Sequence, residues 1–330
     1  MKNFVSIALR NLVLAAVLGG IFVCAQANAA RAEYPDRTVT LLVPFAPGGP
    51  TDIIARILAE SLGRSLKQTF IVENRPGAAG NIGMGIAARA QPDGYTLLLT
   101  STAIAVNPAL FKKLPYDPFK DFEPISELVD SPNIIVVNVN SGINSIADLV
   151  AAAKAPGAKF NYASPGVGTK SNLTGEELKQ RAGIEMAHIP YRGAGPAASA
   201  VLEGSVQVGS VALPAAEPMV KSGQLRALAV TGPKRWFSMP EVPTMIEAGY
   251  PGFVSETFSA LFAPAGTPRD IINLLSAHSR AAFDNPRALE MARAAGFEVV
   301  AGKPEELTAR MQKEIPAVKA LVERAGLKPQ

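Results

Sequence analysis

The sequence predicts an α/β fold with a mostly parallel sheet, and three features predict it. Apolar runs of strand length alternate with longer amphipathic stretches, the pattern of repeated strand–helix units. Glycine turns fall where two of those runs give way to an amphipathic stretch, at Gly48-Gly49 and at Gly166-Val167-Gly168. Two Pro/Gly-rich regions, residues 115–124 and 240–268, break the alternation where the chain would cross between two α/β lobes. With 330 residues, 48% hydrophobic and 18% charged, the chain has material for two domains and is neither disordered nor a polytopic membrane protein.

The N-terminus carries much of the net charge. Lys2 and Arg10 precede an apolar stretch at residues 12–25, followed by Ala27-Asn28-Ala29 and Ala30-Arg31-Ala32. Basic, apolar and small residues in that order predict a cleavable secretory signal peptide over residues 1–32, cut after Ala32 or after Ala29. A membrane anchor needs about 20 apolar residues, more than this stretch supplies. Cleavage removes Lys2, Arg10 and Arg31 and no acid, which leaves 29 cations against 28 acids, a net charge of +1. The basic pI of about 9.1 thus belongs to the leader, and with 6% aromatic residues no nucleic-acid partner is expected. Cys24, the only cysteine, lies in the same segment, so the mature chain has no thiol chemistry or disulfide. The bulky Phe22 and Val23 before it argue against lipid attachment there. The expected destination is the bacterial periplasm.

Candidate strands follow at residues 38–45, 69–73, 96–100, 134–139, 187–189, 206–212, 225–230 and 297–300, with an amphipathic helix at 304–324. The strongest local signal is Val43-Pro44-Phe45-Ala46-Pro47-Gly48-Gly49-Pro50-Thr51-Asp52, which reads as strand, glycine turn and helix start. Pro50 suits the first helical position. Ile53, Ile54, Ile57, Leu58 and Leu62 form the apolar face, and Asp52, Arg56, Glu60 and Arg64 form a charge ladder at i,i+4 spacing. Such a turn leaves the helix's first N–H groups free to meet an anion, and ligands of open α/β sheets bind at these strand ends.

Residues 161–173 repeat the arrangement, with Ser164, Thr169 and Ser171 as hydroxyl donors around Gly166 and Gly168. This is no P-loop, because its glycine spacing fails. Gly83-x-Gly85-x-x-Ala88 is no dinucleotide fingerprint, because it lies inside a predicted helix without an acidic partner about 20 residues on. No cofactor is expected.

Further short motifs punctuate the chain: Tyr34-Pro35-Asp36-Arg37, Val72-Glu73-Asn74-Arg75-Pro76-Gly77, Pro92-Asp93-Gly94-Tyr95-Thr96-Leu97, and Asp121-Phe122 with Pro124-Ile125. Later come Tyr162-Ala163-Ser164, Pro190-Tyr191-Arg192-Gly193, Val242-Pro243-Thr244 with Glu247-Ala248-Gly249, and Ala263-Pro264-Ala265-Gly266-Thr267-Pro268. In order and spacing, over nearly the whole mature chain, these resemble the Bug family of solute-binding receptors of tripartite tricarboxylate transporters. The resemblance implies a type II periplasmic-binding-protein architecture, two Rossmann-like lobes joined by a two-segment hinge. Lobe 1 would comprise residues 33–131 with 258–330, and lobe 2 residues 132–257. It implies a monomer that closes on a small carboxylate-bearing solute and delivers it to membrane permease subunits.

Carried over residue by residue, the solute would be held in lobe 1 by Phe45, Pro47, Gly48, Gly49, Thr51, Asp52, Ser101 and Thr102. Lobe 2 would offer Ser164, Gly166, Gly168, Thr169 and Tyr191. Pro76-Gly77-Ala78-Ala79-Gly80 and Gln207, with the stretch 210–216, depart from the family pattern and bear on solute identity.

Plainer readings stand beside these. Asp52 equally suits a helix start paired with Arg56, and it would repel a carboxylate. Tyr191 suits a half-buried core ring, and Arg75 and Arg192 suit surface ion pairs as well as carboxylate clamps. Trp236 reads as exposed or partner-facing, His188 as packed and His278 as solvated. An enzyme such as a secreted hydrolase is the remote alternative, since no catalytic cluster or metal-ligand spacing is present. A nearer one keeps the fold and presents the closed form to a membrane sensor.

Overall fold

The structure, a computed structural model, describes residues 34–324, 326, 327 and 329. The expected signal peptide and Cys24 lie outside the described residues. The chain divides into two units, Met1–Arg37 and Thr38–Gln330. In the first, the described residues 34–37 form neither helix nor strand.

The strands of the second unit are β1 (Val39–Val43), β2 (Phe70–Asn74), β3 (Thr96–Ser101), β4 (Phe122–Asn138), β5 (Phe160–Ser164), β6 (Met186–Pro190), β7 (Val208–Ala212), β8 (Leu225–Val230), β9 (Glu256–Pro264) and β10 (Glu298–Val299). Between and after them run α1 (Pro50–Leu66), α2 (Asn81–Ala88), α3 (Ala103–Leu110), α4 (Ile146–Lys154), α5 (Lys170–Ala182), α6 (Ala194–Leu202), α7 (Leu213–Lys221), α8 (Arg269–Ala281), α9 (Pro286–Ala294) and α10 (Pro304–Arg324).

The strand order is β2-β1-β3-β9-β4-β7-β5-β6, with β8 and β10 also paired to β4. Parallel pairing holds at both ends, where β1 lies between β2 and β3 and β5 lies between β6 and β7. The centre is antiparallel, because β4 carries the chain out of one half-sheet and β9 brings it back. The expectation of a mostly parallel sheet is corrected there.

β4 is the shared strand. Up to Pro132 it pairs with β9 (Pro132↔Glu256), and from Asn133 onward it pairs with β7 and β8 (Asn133↔Ala212, Ile134↔Val230). The sequence reading found only its last part and took residues 115–124 for a crossing. Pro124 instead sits in the strand beside a register shift, and Pro132 sits at the change of partners, two places where a missing N–H is tolerated. β9 was missed for the same reason, inside the Pro/Gly-rich span 240–268.

The first half-sheet packs Leu42, Leu98, Phe258 and Phe262 against Met311 of α10, and the second buries Ile135, Val137, Tyr162 and Phe253. Full burial of each such side chain contributes about 1.5–3 kcal/mol. A smaller cluster joins the halves through Val106 and Leu110 of α3, Leu173 of α5 and Val318, Leu321 and Val322 of α10. Trp236 is 3% exposed and packs with Met239 and Val242, which corrects its reading as a surface residue.

Candidate functional site

β1 ends at Val43, and the chain turns into α1 through Gly48, whose φ of +78° favours glycine. Gly49 occupies the N-cap with no side-chain cap bond, and a proline opens the helix. The first-turn N–H groups therefore have no side-chain acceptor. Asp52, 2% exposed, instead accepts from Gly48 N–H (2.9 Å), Arg56 Nε (2.9 Å) and Asn74 Nδ2 (2.9 Å). Burial pulls its carboxyl pKa upward, but the Arg56 guanidinium, the Gly48 N–H and the Asn74 amide outweigh it, and the net shift is downward. Asn74 also donates to Phe45 O at 3.0 Å, so one acid and one amide tie the turn to α1 and β2.

The second glycine loop follows β5. Thr169 caps α5 by accepting from Asn172 N–H, and its hydroxyl donates to Gly166 O at 2.9 Å. Gly168 N–H donates to Asn172 Oδ1 at 2.9 Å. A Cβ at Gly168 would collide with the Leu110 side chain of α3, so this loop packs directly on the other half. Tyr191 N–H donates to Ser164 O (2.9 Å) and Gly193 N–H to Pro165 O (3.2 Å), which stitches the turn after β6 to the loop after β5.

Behind this loop lies a buried polar chain. Ser164 Oγ meets His188 Nε2 at 2.7 Å, and the imidazole stacks on the Tyr162 ring at 4.8 Å. Tyr162 OH donates to Glu176 Oε1 at 2.6 Å and accepts from Asn172 Nδ2 at 2.6 Å. Burial, with Glu176 beside it, raises the Tyr162 pKa, and burial lowers that of His188.

A cavity of about 780 Å³ opens where the first loop faces the turn after β6. Residues 45–50 and Ile53 form one wall, residues 192–196 a second, and Pro214, Ala215, Glu217, Pro218 and Lys221 with residues 294–296 the rest. Two helices begin on it, α1 after Gly49 and α6 after Gly193, neither with a side-chain cap bond, and α7 runs along it with one face from Pro214 to Lys221. Arg192 and the Lys221–Glu217 pair (2.7 Å) are its charged side chains.

Of the residues expected from sequence, Phe45, Pro47, Gly48 and Gly49 line this cavity. Thr51 and Asp52 are buried in α1's first turn. Ser101 ends β3, accepting from Ala103 N–H at 3.3 Å, and Thr102 caps α3 with its N–H on Phe258 O at 3.2 Å. Ser164, Gly166, Gly168, Thr169 and Tyr191 form the second loop and its neighbour and do not line this cavity. The wall from α7 and residues 294–296 was missed. Its signal was Pro214 opening a helix and Gly296 at φ +80°, where a Cβ would press on the Pro214 ring.

At the change of partners, Asn133, Ser171, Thr174, Thr231 and Ser255 form a buried hydrogen-bonded knot. Asn133 N–H donates to Thr231 Oγ1 at 2.9 Å, Ser171 Oγ to Asn133 Oδ1 at 2.6 Å, and the Thr174 and Ser255 hydroxyls meet at 2.6 Å. Beside it Arg310 of α10 pairs with Glu127 and with Asp130 (2.7 Å), with Glu256 at 3.9 Å, and stacks on Phe258. Burial pushes Glu127 and Glu256 up to about 7 against the pull of Arg310. Lys170 of α5 reaches Glu314 of α10 at 2.6 Å.

Among the described residues no group of three or more His, Cys, Asp or Glu side chains is placed to hold a metal ion, and no helix is long and apolar enough to cross a membrane. The family model described as the tripartite tricarboxylate transporter family receptor, TctC, matches residues 54–327. Protein BugT of Bordetella pertussis is 37% identical over 314 residues, covering 94% of this chain and 96% of that protein. Among solved structures, R. palustris Rpa4515 with adipate superposes with a TM-score of 0.83 at 32% identity, over 90% of this chain and 100% of that one. MatC from Rhodopseudomonas palustris with bound malate gives 0.78 at 32% identity, over 88% and 100%. These relatives are solute-binding receptors and not enzymes, so the hydrolase alternative falls. The two α/β half-sheets, the uncapped helix starts and these likenesses place the chain in the TctC family, the periplasmic solute-binding receptors of tripartite tricarboxylate transporters.

Proposed function

We propose that the protein binds a small carboxylate-bearing solute between two lobes and, as a monomer, delivers it to the permease subunits of a tripartite tricarboxylate-type transporter. The observation that carries this reading is the convergence of two uncapped helix N-termini, those of α1 and α6, on one cavity beside Arg192. Each N-terminus favours an anion by about 0.3–1 kcal/mol, and by up to about 2 kcal/mol in a partly buried setting. Arg192 adds a full charge. Adipate and malate in two neighbours at about one-third identity support a carboxylate.

In this reading Phe45, Pro47, Gly48 and Gly49 meet the solute from lobe 1, with Ser101 and Thr102 beside them, and Thr51 and Asp52 brace the turn. Ser164, Gly166, Gly168, Thr169 and Tyr191 close from lobe 2. The change of partners of β4 at Pro132 and the start of β9 at Glu256 support a division of the lobes there, with lobe 2 at residues 132–257. A leader over residues 1–32 exports the chain.

Gly49→Val tests the site. A Cβ there meets only Ala46 O at 3.5 Å, and φ is −77°, so the fold accepts it. The branched side chain then stands over the amides. Calorimetry with malate and adipate is expected to show binding to the mature protein and at least tenfold weaker binding to the variant, with an unchanged melting temperature. Wild-type affinity in the variant, or no carboxylate bound by the native protein, overturns the reading.

A further inference from the structure

We infer that His188 is a positioning residue that acts through Ser164 and makes solute affinity rise as pH falls. This rests on the reading of Ser164 and the loop of residues 166–169 as part of the solute site.

The Ser164 hydroxyl has one proton and three neighbours. It accepts from Gly166 N–H at 3.2 Å, and its own proton goes either to Gly166 O at 3.1 Å or to His188 Nε2 at 2.7 Å. The protonation of Nε2 decides between them. A bare Nε2 takes the proton, and Gly166 O is then held only by Thr169, through its hydroxyl at 2.9 Å and its N–H at 3.3 Å. An Nε2–H donates to Ser164 Oγ instead and turns the hydroxyl proton toward Gly166 O. Protonation of the ring fixes that donor state, holds the N–H and the C=O of Gly166 on one hydroxyl and places a positive charge behind the loop. All three favour an anion.

The surroundings tune the ring without locking it. His188 and Tyr162 are register partners on β6 and β5, so the imidazole lies on the same face as Tyr162 and Ser164. From α5, Glu176 and Lys179 are the charged groups acting on it, and they pair with each other at 2.8 Å. Burial lowers the His188 pKa, Glu176 raises it and Lys179 lowers it, so without solute the ring is neutral at neutral pH. It takes its proton as pH falls below the usual imidazole range, and a bound anion draws that transition upward by reciprocity.

Calorimetric titration with malate and adipate between pH 5 and pH 8, on the full mature chain, tests this. The wild-type dissociation constant is expected to be about fivefold lower at pH 5 than at pH 8. His188→Gln carries a non-titrating amide donor near the place of Nε2 and is expected to bind with most of that slope gone; Ser164→Ala is expected to lose it too. Glu127 and Glu256, at about 7, also titrate in this range, so their share persists in both variants. The chain has two histidines. His278→Gln therefore assigns the imidazole NMR signals, and the His188 transition is expected to move up when the probe is added. A wild-type slope retained in His188→Gln, or a His188 transition that ignores the probe, overturns the inference and leaves the site standing. No binding of either probe at any pH removes the site reading, and this inference with it.

Discussion

Asp52 stands beside the turn proposed to meet the solute, and its own charge would oppose an anion were it not already engaged. Gly48 N–H, Arg56 and Asn74 occupy its two oxygens, which makes it a fastening of the turn. Asp52→Asn keeps the volume but presents an amide to donors, and is expected to cost about 1–3 kcal/mol in urea unfolding and to weaken malate or adipate binding. Tighter binding with unchanged stability would instead mark Asp52 as a charge that repels solute. Gly48, Gly49 and Pro50 were legible in the sequence because turn chemistry is local. Arg56 was legible as a helix neighbour. Asn74 was not, since its contact spans 22 residues and depends on β2 lying against β1.

At the scale of elements, α10 owes its place to Arg310 as much as to Met311. Arg310 sits among Glu127, Asp130, Glu256 and Glu314, an excess of buried acid. Burial raises the folded pKa of Glu127 from 4.5 to about 7, so its contribution is fully present below its unfolded pKa and is lost as pH rises through about 7. Urea midpoints are therefore expected to fall between pH 5 and pH 8, and Glu127→Gln to reduce that fall, by roughly 1–3 kcal/mol. An identical pH profile in the variant would show that Glu127 is ionised throughout. The helix was legible from its period. Its role was not, because the carboxylates it gathers lie in β4 and β9, whose proline content hid the strands that make the crossings. Likewise the α7 wall of the cavity is marked locally only by Pro214 at a helix start, and the pairing of β7 with β4 is what brings it to face the first loop.

Across the second unit, two half-sheets meet through four kinds of contact: the shared strand, the polar knot around Asn133, the Lys170–Glu314 ion pair, and the apolar cluster of α3, α5 and α10. Gly168 fits against Leu110 there, with φ of +79° and no room for a methyl group. Gly168→Ala is expected to destabilise the fold by about 1–3 kcal/mol through strain and overpacking, read as a lower melting temperature. Equal stability would mean that the α3 contact is loose.

β4 gives the unit a thermal character that two separate cores would not. Neither half can melt without stripping ladder hydrogen bonds from the strand the other also uses, so loss of one half removes a template from its neighbour. Heating is expected to give a single calorimetric peak whose van't Hoff and calorimetric enthalpies agree. Two resolved peaks would mean that β4 parts at Pro132. A shared strand thus makes the receptor one cooperative unit against heat.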